Sequence, residues 1–220
     1  DRLLILMKAI VGYGFEYLYF TIACFFLSIL VLLKDKFDVI HTHNPPDSLF
    51  LIAGFYKLFG KKFIYDHHDL CPELFLEKYG SGNRTVYKIL LLLEQVSCKL
   101  ADRVIATNES YKKIEIERSG VSPENVYVVR YGPDLNEMKT TDPVQEIKSR
   151  GKTVLCYLGA INIQDGVDYL LITLSKLINE HSLNDVLLLI IGDGDYLKNI
   201  KIMAKELELM DHIIFAGFIG

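Results

Sequence analysis

Two short stretches of this chain carry groups that could stabilise charge or move protons. One is Asp66-His67-His68-Asp69, with Glu73 close behind, and it follows the apolar run Lys62-Phe63-Ile64-Tyr65. The other is His41-Thr42-His43-Asn44-Pro45-Pro46-Asp47, which follows Phe37-Asp38-Val39-Ile40. Both apolar runs read as buried strands. An open α/β sheet assembles its chemistry at the carboxyl ends of neighbouring strands. Two strand ends that both present His and Asp therefore point to a single site. His41, His43, His67, His68, Asp66 and Asp69 could also be read as metal ligands. Successive strand residues face opposite ways, so the six cannot all converge, and the expectation is that no metal is held. His41 and His67 fit better as hydrogen-bonded structural imidazoles.

Those strand ends need a scaffold, and the composition supplies one. Of 220 residues, 50% are hydrophobic, enough for a sizeable core and too many for a disordered chain. The net charge of −4, with Lys and Arg scattered, gives no support for a nucleic-acid partner. Cys24, Cys71, Cys98 and Cys156 lie far apart without a CxxC pair and read as reduced, mostly buried thiols of an intracellular protein. Tyr17 to Leu33 carries no charge, close to the lower limit of about 17 residues for a membrane span. Strand-like residues resume at Phe37, so the reading is a helix over about 13–33 that is buried on several sides or lies on a membrane surface.

Beyond that helix the chain alternates. A strand at 37–41 leads to a helix at 47–59 that stops at Gly60, and a second strand occupies 62–65. Pro72 argues against a helix starting at Cys71, so 67–83 reads as a long functional loop. Asn83 caps a helix to about Leu100; on it, Glu94 reads as a surface or inter-helix residue. Strand 103–106, helix 108–118 and strand 125–130 follow. A polar stretch then separates residues 1–142 from 152–220, with 143–151 as the linker. The rhythm restarts with strand 153–158, helix 166–180, strand 186–191, helix 195–209 and strand 212–216. Alternation of this kind means βαβ units and parallel sheets, here two Rossmann-like halves facing a cleft.

The second half has its own candidate site. Leu158-Gly159-Ala160-Ile161-Asn162-Ile163-Gln164-Asp165-Gly166 joins a strand to a helix. Glycines admit a ligand close to the backbone, and a helix N-terminus suits a phosphate. The spacing is not the dinucleotide fingerprint, and a tight βα turn that binds nothing would look the same. Gly192-Asp193-Gly194 could face the same ligand from the next strand, or be a plain turn with an Asp cap.

The order of these motifs resembles a known family. Asp38-Val-Ile-His-Thr-His-Asn-Pro-Pro-Asp, Tyr65-Asp-His-His-Asp-Leu-Cys-Pro-Glu and Ala101-Asp-Arg-Val-Ile-Ala-Thr-Asn-Glu-Ser are similar to the N-terminal domain of family 4 glycosyltransferases. Val129-Arg-Tyr-Gly-Pro-Asp, the Gly159 loop and Ile190-Ile-Gly-Asp-Gly through Ile214-Phe-Ala-Gly-Phe are similar to the start of their donor-binding domain. The resemblance covers essentially the whole chain. It implies a GT-B fold of two Rossmann-like domains, the second incomplete, and the bacterial polysaccharide-building branch. It implies transfer of a sugar from a nucleotide-diphosphate donor to a lipid-linked or saccharide acceptor, with retained configuration, no metal and no other cofactor. His68 and Asp69 would be catalytic, with His68 beside the donor sugar. Gly159, Ala160, Asn162, Gln164, Gly166, Gly192 and Gly194 would bind the donor, and His43, Asn44 and Asp47 would line the acceptor side. The protein would sit in the cytoplasm, peripheral on the inner face of the plasma membrane.

Two features depart from the pattern. Relatives carry Arg and Lys where this chain has Ala160 and Asp165, so Asp165 must turn away as a helix cap. The family's first strand and its paired glutamates are expected outside residues 1–220, so this piece alone is expected to be inactive. A sugar-nucleotide epimerase and a non-catalytic, membrane-associated relative are the competing readings.

Overall fold

The structure is a computed structural model that describes residues 2–80, 83–134, 136, 139, 142 and 153–219. It divides into two compact units, Asp1–Pro133 and Asp134–Gly220. The expected linker at 143–151 lies outside the described residues.

The first unit is a parallel sheet of β1 (Val39–His43), β2 (Lys62–His67), β3 (Arg103–Ala106) and β4 (Val126–Val128), in that order. Its helices are α1 (Arg2–Lys34), α2 (Phe50–Lys57), α3 (Cys71–Tyr79), α4 (Arg84–Leu100) and α5 (Glu109–Glu117). Phe63, Tyr65, Cys98, Val104, Ala106 and Val126 form its core. Phe63 and Tyr65 are fully buried, and such side chains each contribute about 1.5–3 kcal/mol by leaving water. Asn83 caps α4 by accepting from the amides of Thr85 and Val86, and Asn108 caps α5 by accepting from Tyr111.

The second unit carries β5 (Thr153–Leu158), β6 (Val186–Ile191) and β7 (Ile213–Gly217), again parallel and in sequence order, with α6 (Val167–Asn179) and α7 (Leu197–Glu206). β6 reads Val-Leu-Leu-Leu-Ile-Ile because both faces of a central parallel strand are covered. Ile161, Leu171, Leu174, Leu188, Ile190 and Ile200 pack together beneath it.

Three sequence expectations need correction. The loop expected at 67–83 contains α3, which starts at Cys71 with Pro72 in its first turn. That turn has no amide partner to lose, and proline's fixed φ pre-organises it. Of the two readings of Glu94, the surface one falls and the inter-helix one stands: it is fully buried, facing His67 and Arg118. The apolar helix is longer than 13–33 and is not buried on several sides. From Val11 to Lys34 its mean hydropathy is 2.1 and only 6% is buried, so length and composition would let it cross a membrane. What ties it down is local: Thr21 bonds to Ser48 at 2.7 Å, Ser28 to Tyr56 at 2.9 Å, and Phe25 meets Phe55 edge-on. An apolar hollow of about 460 Å³ opens there, lined by Thr21, Ile22, Phe25, Phe26, Leu51 and Ile52.

Candidate active site

Strand alternation decides which groups at the ends of β1 and β2 meet. His41 and His43 are two apart and share a face; His43 is in register with Asp66, and His68 lies two beyond Asp66. The side chains converge accordingly. His41 Nε2 and His43 Nδ1 lie 3.2 and 3.4 Å from Asp66 Oδ2, and His68 Nε2 lies 3.0 Å from Asp66 Oδ1. His43 Nδ1 is also 3.0 Å from His68 Nε2, and the Tyr131 hydroxyl is 2.5 Å from that same nitrogen. Asp66 is buried, while His41 and His43 are open to solvent. His41 is thus a hydrogen-bonded imidazole at the surface.

His67 points the other way and is fully buried. Its Nδ1 meets Glu115 at 3.0 Å and its Nε2 lies 3.7 Å from Glu94. Arg118 grips Glu94 at 2.7 and 2.9 Å and also binds Glu73 on α3. Buried charge has to be paired, and this chain of pairs ties β2, α3, α4 and α5 together behind the exposed cluster. Burial pushes the Glu94 carboxyl above its usual range, against the pull of His67 and Arg118.

Asn44 shapes the turn between the two sides. Its side-chain oxygen accepts from the amides of His68 (2.7 Å) and Asp69 (3.2 Å), and its Nδ2 donates to the Asp69 carbonyl at 2.7 Å. Asn44 is buried, so its geometry is that of a residue positioning His68. Asp47 also lies beneath the surface, accepting from the Tyr65 hydroxyl. Burial raises its carboxyl pKa, and the bond from Tyr65 opposes the rise. The sequence reading missed Tyr131 and the Glu73–Arg118–Glu94–His67–Glu115 chain. Asp66 was legible only as one acid of the cluster. The signal for Arg118 was absent, because nothing in its local pattern marks it as facing a buried carboxylate.

In the second unit the loop after β5 packs backbone to backbone on the loop after β6. Gly159 donates to the Ile191 carbonyl (3.1 Å), Ile161 to Asp193 (3.0 Å), and Tyr196 back to Ile161 (3.0 Å). A Cβ on Gly192 would overlap the Gly159 carbonyl oxygen, and one on Gly194 would overlap the Ile161 carbonyl. Asp165 turns back to accept from the Asn162 amide at 2.6 Å, forming a capping box ahead of α6. Asn162 also accepts from the Asp195 amide at 3.4 Å. Ala160 gives its carbonyl to the Tyr157 hydroxyl. Gly166 takes a left-handed φ of 69° at the entry to α6. The Gln164 side-chain oxygen is buried with no hydrogen-bond donor among the described residues.

Two parallel-sheet units of strand–helix repeats, with His and Asp at strand ends in the first and a glycine bend ahead of a helix in the second, define an α/β chain of the GT-B type. The chain belongs to glycosyltransferase family 4: that family's model matches residues 3–137, and the model of the group 1 glycosyl transferases matches 138–220. It is 25% identical over 192 residues to the GPI3 subunit of phosphatidylinositol N-acetylglucosaminyltransferase from Saccharomyces cerevisiae, covering 85% of this chain and 40% of that protein. It is 29% identical over 204 residues to alpha-monoglucosyldiacylglycerol synthase from Streptococcus pneumoniae, covering 88% and 40%. The chain therefore spans well under half the length of these relatives. In fold it is similar to Anabaena Alr3699/HepE, solved in complex with UDP, with a TM-score of 0.67 at 20% identity over 88% of this chain and 51% of that one.

Proposed function

We propose that the protein containing this chain transfers a sugar from a nucleotide-diphosphate donor to a lipid-linked or saccharide acceptor, with retention, in building a bacterial surface polysaccharide. The observation that carries this reading is the convergence of His43, Asp66 and His68 at the ends of β1 and β2 in a chain of this family. As the donor bond breaks, positive charge builds on the sugar ring. His68 is the imidazole set to orient the sugar, and the Asp66 carboxylate beside it favours positive charge in that region. Asn44 fixes the backbone of His68 and Asp69, so the ring starts in place.

The donor's diphosphate would meet the bend at Gly159 to Gly166 and the first turn of α6. The amides of Gly159, Ile161 and Asn162 already donate within the protein, so the helix terminus and Gln164 carry that role. Gly192 and Gly194 then serve the pocket by letting the two loops close-pack. The transfer step uses no metal and no other cofactor. The exposed apolar length of α1 and the hollow beside it fit a protein held on the inner face of the plasma membrane, and the two relatives' names include lipids as the sugar's acceptor or product.

The test uses the full-length protein. A thermal-shift screen against UDP-, GDP- and dTDP-sugars selects the donor, and transfer is then measured for His68→Ala. The expected result is a loss of about 10²–10³-fold in turnover with donor affinity retained, as for removal of a charge-stabilising group. Undiminished transfer by His68→Ala would overturn the role of His68. Failure of every nucleotide sugar to bind would overturn the donor assignment.

A further inference from the structure

We propose that His41, His43, Asp66 and His68 form a binding site for a divalent transition-metal ion of the zinc type, which would hold the His68 imidazole. Three potential ligand atoms come together, the ring nitrogens of His41 and His43 and the carboxylate of Asp66, and His68 Nε2 lies beside them, 3.0 Å from both Asp66 Oδ1 and His43 Nδ1. The atoms of His41, His43 and Asp66 all lie within 4.8 Å of one another. The neighbouring separations are 3.0, 3.2 and 3.4 Å. A tetrahedral ion with ligands at about 2.0–2.1 Å sets them roughly 3.4 Å apart, which matches these separations between the imidazole nitrogens and the two oxygens of Asp66.

Protons alone serve this cluster poorly. His68 Nε2 faces Asp66 Oδ1, His43 Nδ1 and the Tyr131 hydroxyl at 3.0, 3.0 and 2.5 Å. A ring nitrogen carries at most one proton, so it cannot answer all three. Asp66 Oδ1 is the orphan: it is buried and receives no hydrogen bond, although His68 Nε2 stands beside it. An unpartnered buried carboxylate oxygen among imidazole nitrogens is a lone pair in need of a cation. The donor set also selects the ion. Imidazole with one carboxylate suits zinc and its neighbours, whereas magnesium and calcium ask for oxygen ligands. His41 and His43 are exposed, which gives the ion a way in. The ordinary second support is present too, since Asn44 fixes the backbone at His68.

The consequence for activity rests on the reading of His68 given above. An ion that takes His68 Nε2 removes the imidazole from the donor sugar, so it would slow transfer rather than assist it. The binding itself does not depend on that reading.

The full-length protein, stripped with chelator, is titrated with zinc chloride by calorimetry, and cobalt is followed by its visible absorption. The expected result is one ion per chain, the intense cobalt band of a tetrahedral site, and no heat from magnesium. The His41→Ala/His43→Ala double variant is expected to bind at least about 100-fold more weakly, since losing ligands outweighs the 10–100-fold cost of losing their outer partners. The His41→Asn/His43→Asn variant repeats the test with polarity kept, circular dichroism confirms folding of both, and His181→Ala in the second unit leaves binding unchanged. Absence of saturable zinc binding, or equal binding by folded double variants, would overturn the site. Zinc binding without any effect on transfer would keep the site and count against the role of His68 in the reaction.

Discussion

At the carboxyl ends of β1 and β2 the polar groups are side chains, and at the carboxyl ends of β5 and β6 they are peptide groups. In the first unit His41, His43, Asp66 and His68 stand on one face of the strand end, and His67 drops into a buried chain of carboxylates and Arg118 on the other. In the second, Gly159, Ile161, Gly192 and Gly194 bring two loops into backbone contact, and Asp165 is spent on a cap. The same strand–loop–helix plan thus supports two kinds of site. One is tuned by changing side-chain type. The other depends on side chains being absent, and a single added methyl group reaches the neighbouring main chain.

The largest effect follows from that contrast. Gly192 sits at φ 138°, and a Cβ there would overlap the Gly159 carbonyl oxygen. Gly192→Ala is expected to cost about 4 kcal/mol or more, the range reserved for backbone strain and forced overlap. Gly159→Ala is the control: its Cβ would come no nearer than 3.4 Å, to the end of the Tyr157 side chain. Its cost is expected to stay within about 1 kcal/mol. Denaturant unfolding of both variants checks this, and equal destabilisation would mean that close packing of Gly192 on the Gly159 carbonyl does not set the second unit's tolerance.

The next effect belongs to the buried side of the first unit. Arg118→Met takes the guanidinium from buried Glu94 and leaves it only His67 Nε2 at 3.7 Å, and removing one partner of a buried pair costs about 3–5 kcal/mol. Adding Glu94→Gln should return part of the loss, because the stranded charge goes with it. A double-mutant cycle by urea unfolding measures the coupling. If Arg118→Met were neutral, the buried chain would not be what joins α3 to α4 and α5.

How far the sequence anticipated this follows the same division. The βαβ order was legible because hydrophobic runs of strand length alternated with amphipathic helices, and Asn83 and Asn108 announced helix starts by chemistry that acts locally. The cluster at β1 and β2 was legible because side-chain type and two-residue alternation are written in the chain. The burial of Glu94 was not: within Leu90-Leu91-Leu92-Leu93-Glu94 a carboxylate fits the surface or a helix–helix seam, and only the arrival of His67 and Arg118 from distant segments makes it tenable inside. The helix α3 was hidden for a different reason, since Pro72 is a breaker within a helix and a starter at its first turn. Gly192-Asp193-Gly194 read in sequence as a ligand-facing turn or a plain capped one, and the close packing on the Gly159 loop was not written in either pattern.

The smallest effect sharpens the comparison within the first unit, between a carboxylate that burial pushes up and one that its partners pull down. Asp102 accepts from the Phe63 amide at 2.8 Å and pairs with Lys57 at 2.9 Å, while Lys57 also donates to the Leu100 carbonyl at 2.7 Å. Burial raises the Asp102 pKa, but the Phe63 amide and Lys57 outweigh it and hold the carboxyl below its usual value. Folded Asp102 therefore binds fewer protons than unfolded Asp102 between the two pKa values. Its contribution is complete above the unfolded value and is lost as pH falls through the folded one. Glu94, raised by burial, has the opposite sign: its ionisation weakens the fold as pH rises from the unfolded value through the folded one. Asp102→Asn keeps an acceptor for Phe63 and loses the charge, so it is expected to cost about 1–2 kcal/mol at neutral pH, the difference between charged and neutral hydrogen bonds. The wild-type and Asp102→Asn curves should converge in acid, whereas Glu94→Gln should remove a slope of the other sign. Urea unfolding across pH 3–7 separates the two, and a constant Asp102→Asn deficit down to the lowest pH would mean that the aspartate acts there by shape and not by charge.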